Sequence, residues 1–411
     1  MEKKKPVHAP IIGFPVKEGQ LTVGGITISQ LANRIGSTPF YAYDRNLISD
    51  RIAEMRKYLP ARLKLHYAMK ANPMPAVVHH MSRIVDGLDL ASVGEMAVAL
   101  DTGMDPALIS FAGPGKTVQE LSQAIAAGVV LNMESQGEME NIARLAKEQG
   151  IRAKVAIRVN PDFELKSSGM KMGGGPQQFG VDSEEVPSML KRLAELDLEF
   201  IGFHIFSGSQ NLREESLLET QEKTLALAVS LAKFAPNAPK KVNIGGGFGI
   251  AYFPGDKRLD LKVLGDGLSD IMAKFHEVLP DTEVVIELGR YMVGDAGIYV
   301  SRVIDKKTSR GEVYLITDGG MHHHLAASGN FGQLIRKNYA VAIANRMDVT
   351  QSEQVNIVGC LCTPLDRLGD KMTLPSAEVG DYVVLFQSGA YGLSASPTAF
   401  LGHPAPKEVL V

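Results

Sequence analysis

Cysteine is scarce in this chain of 411 residues, in which only Cys360 and Cys362 occur. A single residue separates them, so they are poorly placed to form a disulfide framework. Two cysteines are also too few for a usual structural zinc site. So little cysteine is compatible with the reducing cytoplasm, where we expect the protein to be located.

A charge excess of one sign and long apolar runs are also lacking. The 43 basic and 46 acidic residues leave a formal net charge of −3, which provides no general attraction for nucleic acid or an anionic membrane. No apolar run is long enough to span a bilayer, and the opening MEKKKPVHAPIIGF is a poor export signal. The composition is typical of a soluble globular protein, and we expect no nucleic acid and no membrane among its partners.

Short apolar runs alternate with amphipathic stretches of helical spacing between Arg62 and Arg290. The eight runs are KLHYAMK, GLDLA, LISFA, VVLNM, AKVAIRV, LEFIGFHIF, KVNIG and VVIEL. Strands that alternate with helices predict a parallel sheet, and eight such units predict a closed (β/α)8 barrel. A doubly wound open sheet is the alternative.

The pattern changes after Arg290, where GIYVSRVID, EVYLITD, EQVNIVGCLC and DYVVLFQ resemble strands with little helix between them. The first forty residues, with LTVGGITI and FYAYD, have the same character. The sequence therefore predicts an α/β protein with a mostly β second domain. We assign residues 1–40 to an N-terminal segment of the β domain, 41–290 to the barrel and 291–411 to the C-terminal β domain.

Polar side chains cluster at the ends of the predicted strands, where a barrel of this kind carries its chemistry. They are Lys70, Asp89, Arg158, Asn160, His204, Glu287 and Arg290. One charged residue at a strand end has little meaning, because a lysine there usually extends into solvent. Several such residues at one rim of the barrel predict an active site.

The run GGGFG, Gly245–Gly249, follows the seventh predicted strand. Residues without Cβ let backbone N–H groups approach an anion, and this loop of a barrel often binds phosphate. A phosphate loop, a lysine and a carboxylate are the groups that pyridoxal phosphate requires. Lys70 is then the amine for the cofactor's aldehyde.

The chain resembles the fold-type III pyridoxal-phosphate decarboxylases, which include diaminopimelate and ornithine decarboxylases. The motifs that carry the resemblance extend over nearly the whole chain: YAMKAN, LDLASVGE, IRVNPD, GSQ, NIGGGFG, ELGRYMV, CTPLD and SGAYG. Each motif is modest alone, but their joint order is specific. The resemblance implies the barrel, pyridoxal 5'-phosphate and loss of carbon dioxide from an amino acid.

By this resemblance Lys70 holds the cofactor as a Schiff base and Glu287 bonds the pyridine nitrogen, while Asp89 and Arg158 contribute to cofactor binding. The groups implied for the phosphate are Ser209, Gly245, Gly246, Gly247, Arg290 and Tyr391, and Gly289 is a further candidate for cofactor binding. The family's ring-stacking histidine has two possible counterparts. Alignment on GSQ puts Phe206 there, with His204 one position earlier on the same face, whereas alignment on FHIFSG keeps His204 and gives Ser207 the phosphate.

Family members are head-to-tail homodimers whose cysteine motif reaches into the partner's site. The resemblance therefore implies that Cys362 protonates the product carbon and that Asp366 contacts substrate or holds the interface. Thr363 and His324 are further candidates for substrate contact. Cys360 is better interpreted as a small buried residue. The run His322–His324 lacks acidic or cysteine partners at ligand spacing, so we predict no metal site.

Three departures from the family pattern stand out, the first being Phe206. Leu288 replaces a proline, and Thr363 replaces the acidic residue that follows the cysteine in diaminopimelate decarboxylases. The third departure includes, besides Thr363, the absence of the arginine expected after TDGGM, where HHHLAASGNFG stands. A charged distal end of diaminopimelate would therefore be poorly held.

The chain looks most like the carrier-linked and exosortase-associated decarboxylases, in which SPTAFLGHPAPKEVLV and HIFSGSQNL recur. The substrate is then a small amino acid or an aminoacyl group on an acyl or peptidyl carrier protein. The alternatives are a decarboxylase of free diaminopimelate or ornithine, an amino-acid racemase on the same barrel, and a non-catalytic cofactor-binding homologue. Glu287 argues against the racemase, since alanine racemases place an arginine at the pyridine nitrogen. Retention of Lys70 and Cys362 argues against loss of catalysis.

Overall fold

The computed structural model describes residues 8–164, 169–171, 173–331, 333 and 336–411. The strands in chain order are β1 (Val16–Lys17), β2 (Gln20–Val23), β3 (Ile26–Thr27), β4 (Phe40–Tyr43), β5 (Leu63–Ala68), β6 (Gly87–Leu90), β7 (Ile109–Phe111), β8 (Val130–Met133), β9 (Lys154–Asn160), β10 (Met170–Lys171), β11 (Val181–Asp182), β12 (Glu199–Ile205), β13 (Gly208–Ser209), β14 (Lys241–Asn243), β15 (Glu283–Leu288), β16 (Gly297–Ser309), β17 (Glu312–Thr317), β18 (Val341–Ile343), β19 (Ser352–Val358), β20 (Arg367–Pro375), β21 (Tyr382–Leu385) and β22 (Lys407–Leu410).

The helices lie mainly between the strands of the first half. They are α1 (Ile28–Ile35), α2 (Arg45–Tyr58), α3 (Pro75–Met81), α4 (Val93–Asp101), α5 (Val118–Ala127), α6 (Gln136–Gln149), α7 (Val186–Leu193), α8 (Glu214–Ala232), α9 (Leu261–Val278) and α10 (Arg290–Val293). Single 3₁₀ turns occur at Met69–Ala71, Pro106–Leu108, Gly294–Ala296, Leu393–Ala395 and Phe400–Gly402.

The eight predicted apolar runs form a closed parallel barrel. Its strand order is β5-β6-β7-β8-β9-β12-β14-β15, and β15 pairs with β5 through Val284↔Leu63 and Leu288↔Tyr67. The junction of β8 and β9 is closed by Leu131↔Val155. This confirms the predicted barrel, because an open sheet would leave two unpaired edge strands. We call Arg51–Ile250 with Arg258–Tyr291 the barrel unit.

Local capping starts several helices directly after the strand ends. The side chains of Ser92 and Ser135 accept from the backbone of Glu95 and Glu138, and Thr117 forms a reciprocal capping box with Glu120. Each such cap stabilises a helix start by about 1 kcal/mol. The caps return the chain into a helix soon after β6, β7 and β8, which keeps the loops at the carboxyl ends of these strands short.

The second unit, which we call the β unit, comprises the described residues up to Asp50 together with Ala251–Lys257 and Met292–Val411. Its large sheet has the order β18-β21-β16-β17-β19-β20, and β4 pairs with both β16 and β22. The N-terminal strand β4 thus joins the C-terminal sheet, as the mostly β second domain requires. The domain boundaries at residues 40 and 290 stay a prediction. In the structure β4 (Phe40–Tyr43) belongs to this sheet, because Tyr43 pairs with Gly297.

The core of the β unit forms between that sheet and the N-terminal strands. Leu21, Val23, Phe40, Ile298 and Val300 belong to one buried apolar cluster. Segment LTVGGITI contributes β2 and β3 and then begins α1 at Ile28, whose N-terminus is capped by the side chain of Thr27. Within the described residues, the structure contains no helix with the length and apolar character needed to cross a membrane.

Candidate active site

Lys70 and Glu287 meet at the carboxyl ends of two neighbouring barrel strands. Lys70 lies in the 3₁₀ turn that follows β5, and Glu287 lies near the end of β15. Nζ of Lys70 is 3.6 Å from Oε1 of Glu287, whose side chain is 6% exposed. Burial alone would raise the pKa of Glu287, but the charge of Lys70 and a hydrogen bond from His204 outweigh it and hold that pKa well below its usual range. The acid is therefore ionised.

Two further groups hold the other carboxylate oxygen of Glu287. Nε2 of His204 lies 2.9 Å from Oε2, and Nδ2 of Asn243 donates to the same oxygen at 3.3 Å. Because a carboxylate only accepts, Nε2 of His204 carries the proton. Within the described residues Nδ1 of this histidine is buried and has no hydrogen-bond partner. Asn243 was not among the predicted site residues, although it opens the motif NIGGGFG.

The structure separates the two candidates for ring stacking. His204 lies on β12 with its imidazole bonded to Glu287. Phe206 follows the strand, and its ring centroid is 5.6 Å from Nζ of Lys70. A Cβ at Gly245 would lie 2.7 Å from Cδ2 of the same ring. These contacts favour the alignment on GSQ, in which Phe206 faces the cofactor and His204 supports the acid; the assignment itself stays a prediction.

The glycine loop is shaped by close approach of backbone. Gly245 and Gly247 have φ of +63° and +82°, a region that favours glycine. A Cβ at Gly246 would collide with the backbone oxygen of Glu287 and with the side chain of Leu288. The loop therefore presents backbone without side chains beside the acid, as an anion-binding turn requires.

The segment after β12 clamps this loop from the other side. Asn211 N–H donates to Gly247 O at 2.9 Å, and Gly249 N–H donates to Asn211 O at 2.8 Å. Gln210 bonds the backbone of Ile250 through both ends of its amide. Ser209, in β13, pairs with Met170 of β10. The motif GSQN thus positions the glycine loop. Ser207 is the alternative phosphate ligand, and its buried hydroxyl has no hydrogen-bond partner in the described part of the chain.

Arg158 and Asp89 are held by neighbouring polar groups of the barrel. Arg158 Nη1 donates to Glu134 at 2.8 Å, and its guanidinium lies 4.7 Å from the ring centroid of Phe179. Burial raises the pKa of Glu134, but Arg158 outweighs burial and the pKa is lowered. Asp89 accepts from Ser110, and its Oδ1 lies 3.3 Å from Nδ1 of His66. Sequence reasoning missed Glu134, whose only signal is its place directly after the strand VLNM.

Gly289 and Arg290 follow the last barrel strand. A Cβ at Gly289 would lie 2.8 Å from Cβ of Ala71 and 2.9 Å from the oxygen of Ala68. Glycine here lets the end of β15 pack against the turn that carries Lys70. Arg290 is the first residue of α10. The predicted contact of Arg290 with a phosphate, and that of Gly289 with the cofactor, stay predictions.

In the β unit, Cys362 is an exposed free thiol on the loop between β19 and β20. Asp366 shapes this loop, because its buried carboxylate accepts from the backbone N–H groups of Met321 at 2.6 Å and Leu361 at 2.8 Å. Burial raises the pKa of Asp366. Thr363 is half-buried and its N–H donates to Leu361 O. The contacts of Asp366 favour a structural role in the loop over contact with substrate.

His324 lies in the interior of the β unit with 0% exposure. Its Nε2 is 2.9 Å from the hydroxyl of Ser388, and burial lowers its pKa to about 3. These contacts favour a structural role for His324 as well. Tyr391 lies in the same unit and has a left-handed backbone with φ of +52°. Among the described residues no group of three or more histidine, cysteine or acidic side chains is arranged to hold a metal ion.

Cys360 is half-buried, and burial raises the pKa of its thiol. Its sulfur lies 3.7 Å from the oxygen of Asp318 and from Nδ1 of His403. These contacts agree with its interpretation as a packed residue of the β unit.

The barrel unit contains the kinds of groups that pyridoxal phosphate needs. Lys70 supplies an amine, Glu287 is a buried acid kept ionised, and the glycine loop beside them has no room for a Cβ at Gly246. Pyridoxal phosphate requires groups of these three kinds, for its aldehyde, its pyridine nitrogen and its phosphate. The fold and site define a pyridoxal-phosphate-binding barrel.

Comparison with known proteins places the chain in a family. A model described as "Pyridoxal-dependent decarboxylase, pyridoxal binding domain" matches residues 45–294, and the chain belongs to this family. It is 37% identical over 389 residues to L-glutamyl-[BtrI acyl-carrier protein] decarboxylase of Niallia circulans, covering 93% of this chain and 90% of that protein. It is 32% identical over 402 residues to diaminopimelate decarboxylase of Aquifex aeolicus, covering 96% and 91%.

A solved structure agrees with the fold over nearly the full length. Diaminopimelate decarboxylase from M. jannaschii matches with a TM-score of 0.88 and 26% identity, covering 97% of this chain and 92% of that one. The chain is thus a pyridoxal-phosphate-dependent decarboxylase of fold type III. This confirms the predicted family, cofactor and reaction, and leaves the racemase and the non-catalytic homologue without support.

Proposed function

We propose that this decarboxylase acts on an aminoacyl group tethered to a carrier protein. The α-carboxylate must be free to leave, so the amino acid is attached to its carrier through another carboxyl group. The relative from Niallia circulans, whose name specifies a glutamyl group on an acyl-carrier protein, supports this substrate class. A tether removes the charge at the distal end of the substrate, and the enzyme then needs no cation to bind that end.

The proposal depends on the burial and the hydrogen bonds of the side chains that follow TDGGM, where the expected arginine is absent. The three histidines there are at most 1% exposed, so they offer no surface to a charged substrate end. The next arginine, Arg336, donates to the backbone oxygens of Ser328 at 3.0 Å and Arg367 at 2.5 Å. The two terminal nitrogens of this guanidinium are therefore engaged in supporting loops, which fits a substrate without a free distal carboxylate.

The residues of the barrel unit divide the catalytic work. When bound, the cofactor supplies an electron sink for the bond between Cα and the carboxylate. Lys70 would hold the cofactor's aldehyde through Nζ, and ionised Glu287 would keep a proton on the pyridine nitrogen. The glycine loop with Ser209 and Arg290 would hold the phosphate. Phe206 would cover the ring, and Arg158 and Asp89 would line the site.

We further propose a homodimer in which Cys362 of one subunit completes the site of the other and delivers a proton to the product carbon. Cys362 is exposed, and Leu365 on the same loop is 55% exposed. Phe331 is 43% exposed, and Asn330 beside it donates to Leu365 O at 3.3 Å. An exposed apolar surface around an exposed thiol supports a covering partner. Mixed dimers of Lys70→Ala and Cys362→Ala subunits should regain part of the activity; absence of any recovery would contradict shared sites.

A cytoplasmic location is also proposed. It is supported by the two cysteines, both of which are free thiols in the structure. Cell fractionation with an antibody to the chain tests this location, and recovery of the protein outside the cytoplasmic fraction would contradict it.

The substrate is tested by comparing the turnover of tethered and free amino acids in parallel incubations. An acyl-carrier protein loaded with L-glutamate through its γ-carboxyl is incubated with the enzyme, in parallel with free diaminopimelate, ornithine and glutamate. Carbon dioxide release and the mass of the carrier are measured, with Lys70→Ala as the inactive control. We expect loss of one carbon dioxide from the loaded carrier and at most slow turnover of the free amino acids.

Diaminopimelate is the second candidate substrate, favoured by the 32% identity to diaminopimelate decarboxylase of Aquifex aeolicus. Turnover of free diaminopimelate with a kcat/KM above that of the loaded carriers would favour this candidate and contradict the tethered substrate.

A further inference from the structure

Asn243 is the last residue of β14, and its side-chain amide contacts two parts of the proposed cofactor site. Nδ2 donates to Oε2 of Glu287 at 3.3 Å, while Oδ1 accepts from the backbone N–H of Gly245 at 2.8 Å. One short side chain thus bonds both the acid and the glycine loop.

The chemistry of the two neighbours permits only one orientation of this amide. The carboxylate of Glu287 is ionised and can only accept, whereas the N–H of Gly245 can only donate. A half-turn of the amide would place oxygen against carboxylate and N–H against N–H, so both hydrogen bonds would be lost. The side chain of Asn243 is therefore locked as long as the acid and the loop keep their places.

Backbone contacts close these bonds into a ring. The N–H of Glu287 donates to the oxygen of Gly245 at 2.7 Å. Asn243, Gly245 and Glu287 are then joined pairwise, and the missing Cβ of Gly246 lets the loop lie directly on β15. If the glycine loop moves, Asn243 is disturbed, and with it the hydrogen bond to Glu287. If Glu287 moves, its bonds to Asn243 and Gly245 disturb the loop.

We propose that Asn243 is a positioning residue that couples the glycine loop to Glu287, so that an anion bound in the loop also fixes the acid in place. The inference rests on the cofactor site proposed above. His204 bonds the same oxygen of Glu287 from another strand, so the acid keeps one donor when Asn243 is replaced. The property specific to Asn243 is the connection between the acid and the loop.

Two replacements remove the bond of Asn243 to Glu287 and leave an oxygen near the N–H of Gly245. In Asn243→Asp an oxygen remains for the N–H of Gly245, but the donor to Glu287 is replaced by a second carboxylate, and like charges this close repel. In Asn243→Ser a hydroxyl remains near the loop without the reach of the amide to the acid. If one of these two variants folds poorly, the binding measurement is made on the other.

The chain offers a matched control in the β unit. Asn345 donates to the carboxylate of Asp381 at 2.8 Å and accepts from the backbone N–H of Tyr382 at 3.0 Å. It thus repeats the bonding of Asn243, and both residues are half-buried. Asn345→Asp makes the same chemical change in a residue that bonds Asp381 and Tyr382 instead of the acid and the glycine loop, and should leave cofactor binding unaltered.

The experiment measures binding to the full chain after its cofactor has been removed. Pyridoxal phosphate is titrated back by visible absorbance, and inorganic phosphate is added as a competitor that reports on the loop alone. We expect Asn243→Asp to weaken cofactor binding about tenfold, within the range of couplings between contacting residues. Asn345→Asp should bind as the native protein does.

A double-mutant cycle tests the coupling itself. Glu287→Gln should weaken competition by inorganic phosphate about threefold in the native background and leave it unchanged in Asn243→Ser. Equal effects of Glu287→Gln in both backgrounds would overturn the coupling while leaving the site intact. If inorganic phosphate does not compete with the cofactor in the native protein, the assignment of the loop is wrong and the inference falls with it.

Discussion

Nζ of Lys70 lies 3.6 Å from Oε1 of Glu287, although one residue follows the first barrel strand and the other belongs to the last. The contact exists because the barrel closes: β15 pairs with β5, and Glu287 stands opposite His66 in that pairing. An amine and an ionised acid at one rim are the starting arrangement for pyridoxal-phosphate chemistry.

Replacement of Lys70 tests the anchor of the cofactor. Lys70→Ala should abolish the visible absorbance of the lysine-bound cofactor and lower the decarboxylation rate by on the order of 10³. Lys64→Ala, on the strand that leads to Lys70, is the matched control and should retain both properties. A normal absorbance spectrum in the Lys70 variant would show that another amine holds the cofactor.

Replacement of Glu287 tests the acid. Glu287→Gln preserves shape but removes the charge that would keep a proton on the pyridine nitrogen, so kcat should fall by about 10² or more. Glu199→Gln is the control, because Glu199 pairs with Lys240 at 2.6 Å elsewhere on the barrel. The measurement is kcat and KM for the substrate that the comparison of tethered and free amino acids identifies. A Glu287 variant with native kcat would contradict the role of the acid.

A Cβ in the glycine loop should exclude the cofactor. In Gly246→Ala the new methyl group collides with the backbone oxygen of Glu287, so the loop must shift, at a stability cost of about 1–3 kcal/mol. Cofactor affinity should fall together with thermal stability. Gly115→Ala, where a Cβ has no neighbour within 4 Å, should change neither. Native affinity in the Gly246 variant would argue against the loop as the anion cradle.

The buried histidines of the β unit predict loss of stability in acid. Burial lowers the pKa of His322 and His323 to about 4 and that of His324 to about 3. An unfolded chain titrates these groups near 6.5, so it binds more protons than the native state below that pH. The free energy of unfolding should be unaffected by these groups above pH 6.5. It should decrease as the pH falls from about 6.5 to about 4 for His322 and His323, and to about 3 for His324.

His324→Gln tests this pH dependence, since an amide can keep a bond to Ser388 without taking up a proton. At pH 4 the contribution of one such fully buried histidine is on the order of 3 kcal/mol. Urea unfolding of the apoprotein at several pH values should give a shallower slope in this variant than in the native chain. The exposed His79→Gln should leave the slope unchanged, and an equal slope in all three proteins would contradict the prediction.

Much of the site could be predicted because its parts are local. Lys70 follows a strand within YAMKAN, and Gly245–Gly249 form a turn whose backbone chemistry is visible in the letters alone. The eight strands were also predictable, because short apolar runs alternate with helical periodicity. The identification of Glu287 as the acid depended on resemblance, since a carboxylate at a strand end has many possible roles.

Other features could not be inferred from neighbouring letters. Asn243 and Glu134 owe their roles to hydrogen bonds with residues of other strands, and His324 is enclosed by side chains from several segments. His204 and Phe206 are two residues apart, and the sequence allowed either to face the cofactor. Only the folded structure shows that His204 bonds Glu287. This contact favours Phe206 as the residue that faces the cofactor.

The amino-acid sequence by itself determined the order of strands and helices, the lysine and the glycine turn, because periodicity and backbone freedom are properties of a short stretch of chain. Tertiary structure alone decided that the acid is ionised, which side chain supports it, and that the histidine run is enclosed. Those properties depend on distances of a few ångströms between segments far apart in the chain, where burial and a neighbouring charge compete for each proton.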